Sequence, residues 1–306
     1  MNALDQIRLN FDPAMLTLLN IILGVVMFGI ALDIRRSDFK AIFDFPKAML
    51  IGLLGQFVLL PALSFVLVTA ISPAPSAALG MMLVASCPGG NISNFLVYLA
   101  RGNTALSVCM TAVSTLFALV MTPLNFSLWG SLYPPTRALL KEISLNPFDL
   151  MSAIFLLLGL PLALGLFLSQ NFPGIALRLK NPMKIFSMIF FGGFLVAALA
   201  ANWQNFLNYV GLVAGAVFLQ NAIALASGYS AARFAGLPER DRRAVAIEVG
   251  IQNSGLGLIL IFNFFEGLGG MALIAAWWGI WHIISGYALA LFWSRRTKRL
   301  NGAARV

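Results

Sequence analysis

Apolar runs separated by short polar turns recur along the chain from about residue 14 to residue 293. A bilayer-spanning helix needs roughly 20 mostly apolar residues. On that measure the pattern predicts nine helices, over about 14–34, 46–71, 75–100, 104–132, 147–169, 181–201, 206–232, 243–265 and 268–293. The expected fold class is therefore an all-α polytopic membrane protein. Two of the nine runs differ from the rest, because helix breakers and polar residues gather in their middles. In Cys87-Pro88-Gly89-Gly90-Asn91-Ile92-Ser93-Asn94, Pro88 removes a backbone donor, the glycines loosen the helix, and Asn91, Ser93 and Asn94 bring side-chain oxygens. Glu248-Val249-Gly250-Ile251-Gln252-Asn253-Ser254-Gly255 has the same chemistry and adds a carboxylate deep in an apolar segment. Both read as interrupted helices.

Their places in the order carry further information. One interruption falls in the third of the first four spans, the other in the third of the last four, and the single span at 147–169 separates the sets. An odd separator inverts the second set relative to the first. Interrupted helices in corresponding positions of inverted halves point to a secondary transporter with its binding site near the midplane. Irregular backbone survives at that depth only where it is buried or lines a cavity.

Composition agrees with a bilayer as solvent: 60% of residues are hydrophobic and 10% charged, against about 25% charged in soluble domains. The net charge of +9 would suggest nucleic acid in a soluble protein, but here its distribution decides. One set of alternate loops holds Arg35, Arg36, Lys40, Lys47, Arg101, Arg178, Lys180, Lys184, Arg233, Arg240, Arg242, Arg243, Arg295, Arg296, Lys298, Arg299 and Arg305; the other holds Arg8, Arg137 and Lys141. That asymmetry predicts an N-terminus outside and a C-terminus in the cytoplasm of an inner (plasma) membrane, with the basic tail as a topology anchor. The stretch from Asn2 to Asp12 has mixed charge and no small-residue cleavage site, so the first run reads as a span rather than a removable signal. Cys87 and Cys109 lie in apolar segments and read as packing residues.

Several motifs together resemble the bile acid:sodium symporter family: Met27-Phe28-Gly29-Ile30-Ala31-Leu32 with Asp38-Phe39-Lys40, the motif at 87–94, Tyr98-Leu99-Ala100-Arg101-Gly102-Asn103, the motif at 248–255, and Trp281-His282 with Ser285-Gly286. The resemblance runs from about residue 20 to 295. It implies a core domain, here 46–132 and 206–293, carrying two crossing broken helices. A panel domain, here 1–45 and 147–201, would face it, and 294–306 would form a cytoplasmic tail. Bacterial members often have ten spans, and this chain looks like a version lacking the first.

The resemblance also implies two Na⁺ ions, hard cations that favour oxygen ligands. One site would use Ser93, Asn94, Ser107, Thr111 and Glu248; the other would use Gln56, Glu248, Gln252 and the carbonyls of Val249 and Ile251. Ser107 and Thr111, at i and i+4, share a helix face. Blander readings stand beside these. Glu248 could be a protonated structural acid or a proton carrier, the hydroxyls could bond back to their own helix, Gln56 could be a helix–helix hydrogen bond, and His282 a packed histidine. The cargo implied is an organic anion, a small carboxylate such as pantoate or a 2-oxo acid, or a bile acid. Asn91, Asn253, Ser254 and Gly255 are expected near it, with His282 and Ile283 at the edge. Close bacterial relatives often carry Thr where this chain has Asn91 and Asn where it has Ile283, so the polar contacts to cargo are expected to differ. The expected mechanism is symport by alternating access, with no nucleic acid and no obligatory protein partner. An enzyme reading, an intramembrane serine hydrolase using Ser254 and His282, is the remote alternative.

Overall fold

The computed structural model describes residues 5, 14–34, 43–142, 152, 155–201 and 203–303. Among them helices dominate and no strand forms. The helices are α1 (Ala14–Asp33), α2 (Pro46–Leu54), α3 (Leu60–Ile71), α4 (Pro75–Ser86), α5 (Ile92–Leu99), α6 (Thr104–Leu132), α7 (Pro134–Glu142), α8 (Leu160–Asn171), α9 (Pro173–Ala201), α10 (Trp203–Phe234), α11 (Glu239–Gly250), α12 (Ser254–Phe264) and α13 (Gly269–Ala303). Among the described residues, four stretches are long and apolar enough to cross a membrane: Pro46–Ile71, Thr104–Leu132, Val213–Phe234 and Gly269–Thr297. Shorter apolar helices cover Asn20–Leu32, Pro75–Ser86, Phe155–Asn171 and Ser254–Phe264. Arg8, Arg35, Arg36, Lys40 and Arg305, together with the expected start of a span at 147, lie outside the described residues.

Polarity is turned inside out, as a lipid solvent requires. On the stretch from Pro46 to Ile71, Leu50, Leu54 and Val58 share an exposed face, whereas Gln56 and Ser64 are buried. On α6, Phe117, Val120, Leu124 and Leu128 face outward while Ser107, Thr111, Ser114, Thr122 and Asn125 face inward. A water-soluble protein would reverse both assignments, since buried polar groups there cost free energy without an apolar solvent to favour them.

The apolar pattern did not foresee two π-helical turns. Gly55–Leu59 joins α2 to α3, and Phe155–Gly159 leads into α8. Each is followed by Leu-Pro, Leu60-Pro61 and Leu160-Pro161. A proline cannot donate to the carbonyl four residues back and its ring crowds that carbonyl, so the ladder widens by one residue ahead of it. At the first turn the Leu60 N–H donates to Gly55 O, and the Phe57 carbonyl receives Asn125 Nδ2 of α6 at 3.0 Å instead. Asn125 Oδ1 in turn accepts from Trp129 Nε1 at 3.1 Å. The stretch holding Arg137 and Lys141, expected to be a loop, is the short helix α7.

Helices α1, α8 and α9 pack chiefly on one another, with smaller contacts from α1 to α12 and from α9 to α10, while α10 packs on α11 and α13 on α4. At Gly165 of α8 an added Cβ would stand 2.6 Å from the Phe28 carbonyl of α1, so glycine permits this backbone approach.

Asn125→Leu removes the only side-chain donor to Phe57 O among the described residues and the acceptor of Trp129. It should lower stability by about 1–3 kcal/mol, seen as an earlier thermal unfolding midpoint in detergent. An unchanged midpoint would mean that the widened turn satisfies itself.

Candidate functional site

Both expected interruptions are present. Helix α4 ends at Ser86 and α5 begins at Ile92; α11 ends at Gly250 and α12 begins at Ser254. The two breaks meet as a short antiparallel β-bridge between Gly89 and Gln252. Gly90 N–H donates to Ile251 O at 2.8 Å, and Asn253 N–H donates to Pro88 O at 2.9 Å. The carbonyls freed at each break are met by side chains from neighbouring helices. Ser86 O accepts from Thr122 Oγ1 at 2.7 Å, Cys87 O from Gln56 Nε2 at 2.7 Å, and Gly250 O from Asn221 Nδ2 at 2.8 Å. In a low-dielectric interior such groups would otherwise cost several kcal/mol each.

Chain direction aims the C-terminal ends of α4 and α11 and the N-terminal ends of α5 and α12 at the crossing. Carbonyl-rich ends favour a cation and amide-rich ends an anion. One place is thus suited to both.

Glu248, in the last turn of α11, is fully buried. Its Oε2 accepts from Ser93 Oγ at 2.6 Å and Ser107 Oγ at 3.1 Å, and its Oε1 from Thr111 Oγ1 at 2.6 Å. Asn94 Oδ1 accepts from Ser107 Oγ at 2.8 Å and Thr111 Oγ1 at 3.3 Å. Every residue of the first expected cluster therefore lies in one hydrogen-bonded group. Thr111 also bonds back to Ser107 O at 3.0 Å, so its bland role coexists with the other. Hydroxyl oxygens both donate and accept, so the same atoms can turn lone pairs toward a cation. Gly89 closes the wall: a Cβ there would stand 2.4 Å from Glu248 Oε1. Among the described residues no three His, Cys, Asp or Glu side chains gather in a metal-binding group, and the donor set here is one carboxylate with hydroxyl and amide oxygens.

The second expected cluster is assembled in part. Gln56 Nε2 donates to Gln252 Oε1 at 2.7 Å, and Gln252 Nε2 donates to Gln56 Oε1 at 3.2 Å and to Val249 O at 2.7 Å. Among the described residues the hydrogen bonds to the Glu248 carboxylate all come from the first cluster, and Ile251 O is engaged in the bridge. These two therefore adjoin the glutamine pair through the backbone of 248–252 rather than by a side-chain hydrogen bond.

Of the positions expected near cargo, Asn91 is exposed and precedes α5 without capping it, whereas Asn253 Oδ1 caps α12 by accepting from Leu256 N at 3.1 Å. Ser254 is buried, Gly255 half-buried and Ile283 exposed. His282 is buried edge-on to Trp278, and its Nδ1 has no hydrogen-bond partner. Its helix reaches the crossing one turn later, where Gly286 abuts Ile251 and Leu96. No hydrogen bond joins Ser254 to His282 among the described residues. Cys87 and Cys109 are both buried.

The model of the sodium bile acid symporter family matches residues 20–209. The chain belongs to that family. Its relatives are transporters rather than enzymes. The uncharacterized sodium-dependent transporter YocS of Bacillus subtilis is 32% identical over 287 residues, 94% of this chain and 86% of that protein. The human ileal sodium/bile acid cotransporter is 31% identical over 244 residues, 78% of this chain and 67% of its own length. A chloroplast protein of Arabidopsis thaliana, described as a probable sodium/metabolite cotransporter, is 31% identical over 277 residues, 89% of this chain and 66% of that protein. The family match and the apolar helices make the chain a membrane transporter.

Within this family member, Thr122, Asn125 and Asn221 escaped the sequence reading, and Ser285 entered it only within the Ser285-Gly286 motif, without a role. Asn221 mirrors Gln56, since each stands on the helix preceding a break and donates its amide to the carbonyl at the end of the first half-helix. Ser285 Oγ donates to Asn221 Oδ1 at 2.6 Å. The signal was available, because each is a polar residue in an apolar run, but its partner lies far along the chain.

Asn221→Ala strands the Gly250 carbonyl and should cost roughly 1–3 kcal/mol, with Ser285→Ala costing less. A double-mutant cycle read by thermal unfolding should show coupling; strict additivity would dissolve the Ser285–Asn221–Gly250 chain.

Proposed function

We propose that this protein is a sodium-coupled symporter of an organic anion, working by alternating access, and that Glu248 is the shared hub of two Na⁺ sites. The observation that carries the reading is the crossing itself: a fully buried carboxylate, ringed by Ser93, Asn94, Ser107 and Thr111, where two interrupted helices meet. Charge inside a membrane is costly and serves function by default. A cation among these oxygens would offset the carboxylate and tie α5, α6 and α11 together. The second ion would sit by Gln56, Gln252 and Val249 O, next to Glu248 and the Ile251 carbonyl. The relatives described as sodium-dependent or sodium/bile acid cotransporters support this choice of ion.

The anion would bind at the amide-rich starts of α5 and α12, near Asn91, Asn253, Ser254 and Gly255, with His282 and Ile283 at the margin. A small carboxylate such as pantoate or a 2-oxo acid suits Asn91, whose side chain caps nothing. Nine spans in inverted halves, with the N-terminus outside an inner (plasma) membrane, complete the reading. The core, 46–132 and 206–293, would move against the panel, 1–45 and 147–201; the group α1, α8 and α9 supports that division. Two Na⁺ with a monoanion carry net charge inward, so transport is electrogenic, driven by about 2.3 kcal/mol per charge per 100 mV.

In proteoliposomes, uptake of pantoate, pyruvate or taurocholate should require external Na⁺ rather than K⁺ and vanish in Glu248→Ala. Uptake driven in K⁺ by a pH gradient would replace the sodium sites with a proton carrier at Glu248. Gly89→Ala pushes a methyl group into the carboxylate and should raise the Na⁺ concentration for half-maximal uptake by about tenfold to a hundredfold; an unshifted Na⁺ dependence would remove Glu248 from ion binding.

A further inference from the structure

A cavity of about 450 Å³ opens away from the crossing, lined by Tyr98, Arg101, Gly102, Thr104, Glu239, Arg240, Arg243 and Thr297. It lies where the end of α5, the start of α11 and the last turns of α13 converge. Three guanidinium groups meet one carboxylate there, and that carboxylate is already engaged. Glu239 accepts from Tyr229 Oη at 2.8 Å and from Arg243 Nε at 3.0 Å, with Arg242 Nη1 3.9 Å away. Burial pushes the Glu239 carboxyl up, but the hydrogen bonds from Tyr229 and Arg243 and the charges of Arg243 and Arg242 outweigh it, holding the group below its usual range.

Arg243 is a fixed wall. It is buried, its Nη1 donates to Ala100 O at 2.8 Å and Thr297 Oγ1 at 2.9 Å, and it lies 5.6 Å over the Trp293 ring. Arg101 and Arg240 are exposed, and their guanidinium groups have no protein partner among the described residues. Arg101 is also held in the left-handed region, at φ +56°. Its N–H donates to Tyr98 O, and the next N–H, of Gly102, to Val97 O, which closes the end of α5. That closing position favours glycine, and a side chain there costs roughly 1 kcal/mol. The glycine stands one residue later, so the chain tolerates strain and keeps an arginine on the cavity. Retained strain of this kind marks functional positions.

The geometry points to a binding site for a phosphate-type oxyanion, with an anionic phospholipid headgroup as its source. Arginine forks match phosphate oxygens, and basic pockets between membrane helices bind acidic headgroups. Phe95 and Tyr98, exposed and three residues apart on α5, offer an apolar strip for the acyl chain beside the pocket. The site shares no lining residue with the Glu248 cluster, so it stands or falls apart from the transport reading.

The test is lipid retention by the full-length protein, measured by native mass spectrometry after exposure to mixed phosphatidylcholine and phosphatidylglycerol micelles. Inorganic phosphate serves as a soluble competitor. Wild type should retain phosphatidylglycerol preferentially. Arg101→Gly and Arg240→Gln should each weaken that retention by about tenfold to a hundredfold. Arg101→Gly relieves the backbone strain, so its thermal midpoint in phosphatidylcholine nanodiscs should not fall, which separates lost binding from lost folding. Displacement by millimolar phosphate would assign the site to soluble oxyanions, while resistance to it would assign the lipid. Equal retention of both lipids by wild type without stabilisation by phosphate, or undiminished retention in both variants, would overturn the site and leave these arginines as solvated topology anchors.

Discussion

An interrupted helix in an apolar medium exposes carbonyl and amide groups that water cannot reach, and this chain interrupts two helices at the same depth. The bridge between Gly89 and Gln252 lets each break satisfy part of the other. The rest of the demand is met from outside, by Gln56, Thr122 and Asn221. Those three residues belong to α3's preceding turn, α6 and α10, so the crossing dictates where the surrounding helices must pack. Polar side chains buried in these apolar helices follow from the same need.

That architecture places chemistry as well as stability at the crossing. Ending a helix at Gly250 leaves Glu248 in a last turn rich in carbonyl oxygens, and starting one at Ile92 puts Ser93 and Asn94 in a first turn beside it. Ser107 and Thr111, one helical turn apart on α6, complete the ring. Cation-favouring and anion-favouring helix ends converge within one bridge and share its backbone. Gly89 fits because it adds no side chain between that bridge and the carboxylate.

The helix ends away from the crossing follow different rules. There, charged side chains reach water, and Glu239 with Tyr229, Arg242 and Arg243 forms a network. Asn103 caps α6 through Leu106 N and also donates to Asp241. These contacts join the ends of α5, α6, α11 and α13 into one plate, and Arg101 and Arg240, unpaired among the described residues, stand on its surface.

Much was legible in the residues alone. Apolar run length marked the helices, because a bilayer sets one length scale, and Pro88, Gly89 and Gly90 marked a break, because their backbone effects are local. Glu248 announced itself as a charge where charge is costly, and the motif resemblance named Ser93, Asn94, Ser107 and Thr111, which share one hydrogen-bonded group with it. The π turns before Pro61 and Pro161 were hidden, since periodicity does not report which carbonyl a proline displaces. So were the partners of Asn125 and Asn221, and the separation of the Glu248 carboxylate from the Gln56–Gln252 pair. Each of these depends on which atoms from distant parts of the chain arrive within hydrogen-bond distance, and only tertiary packing decides that.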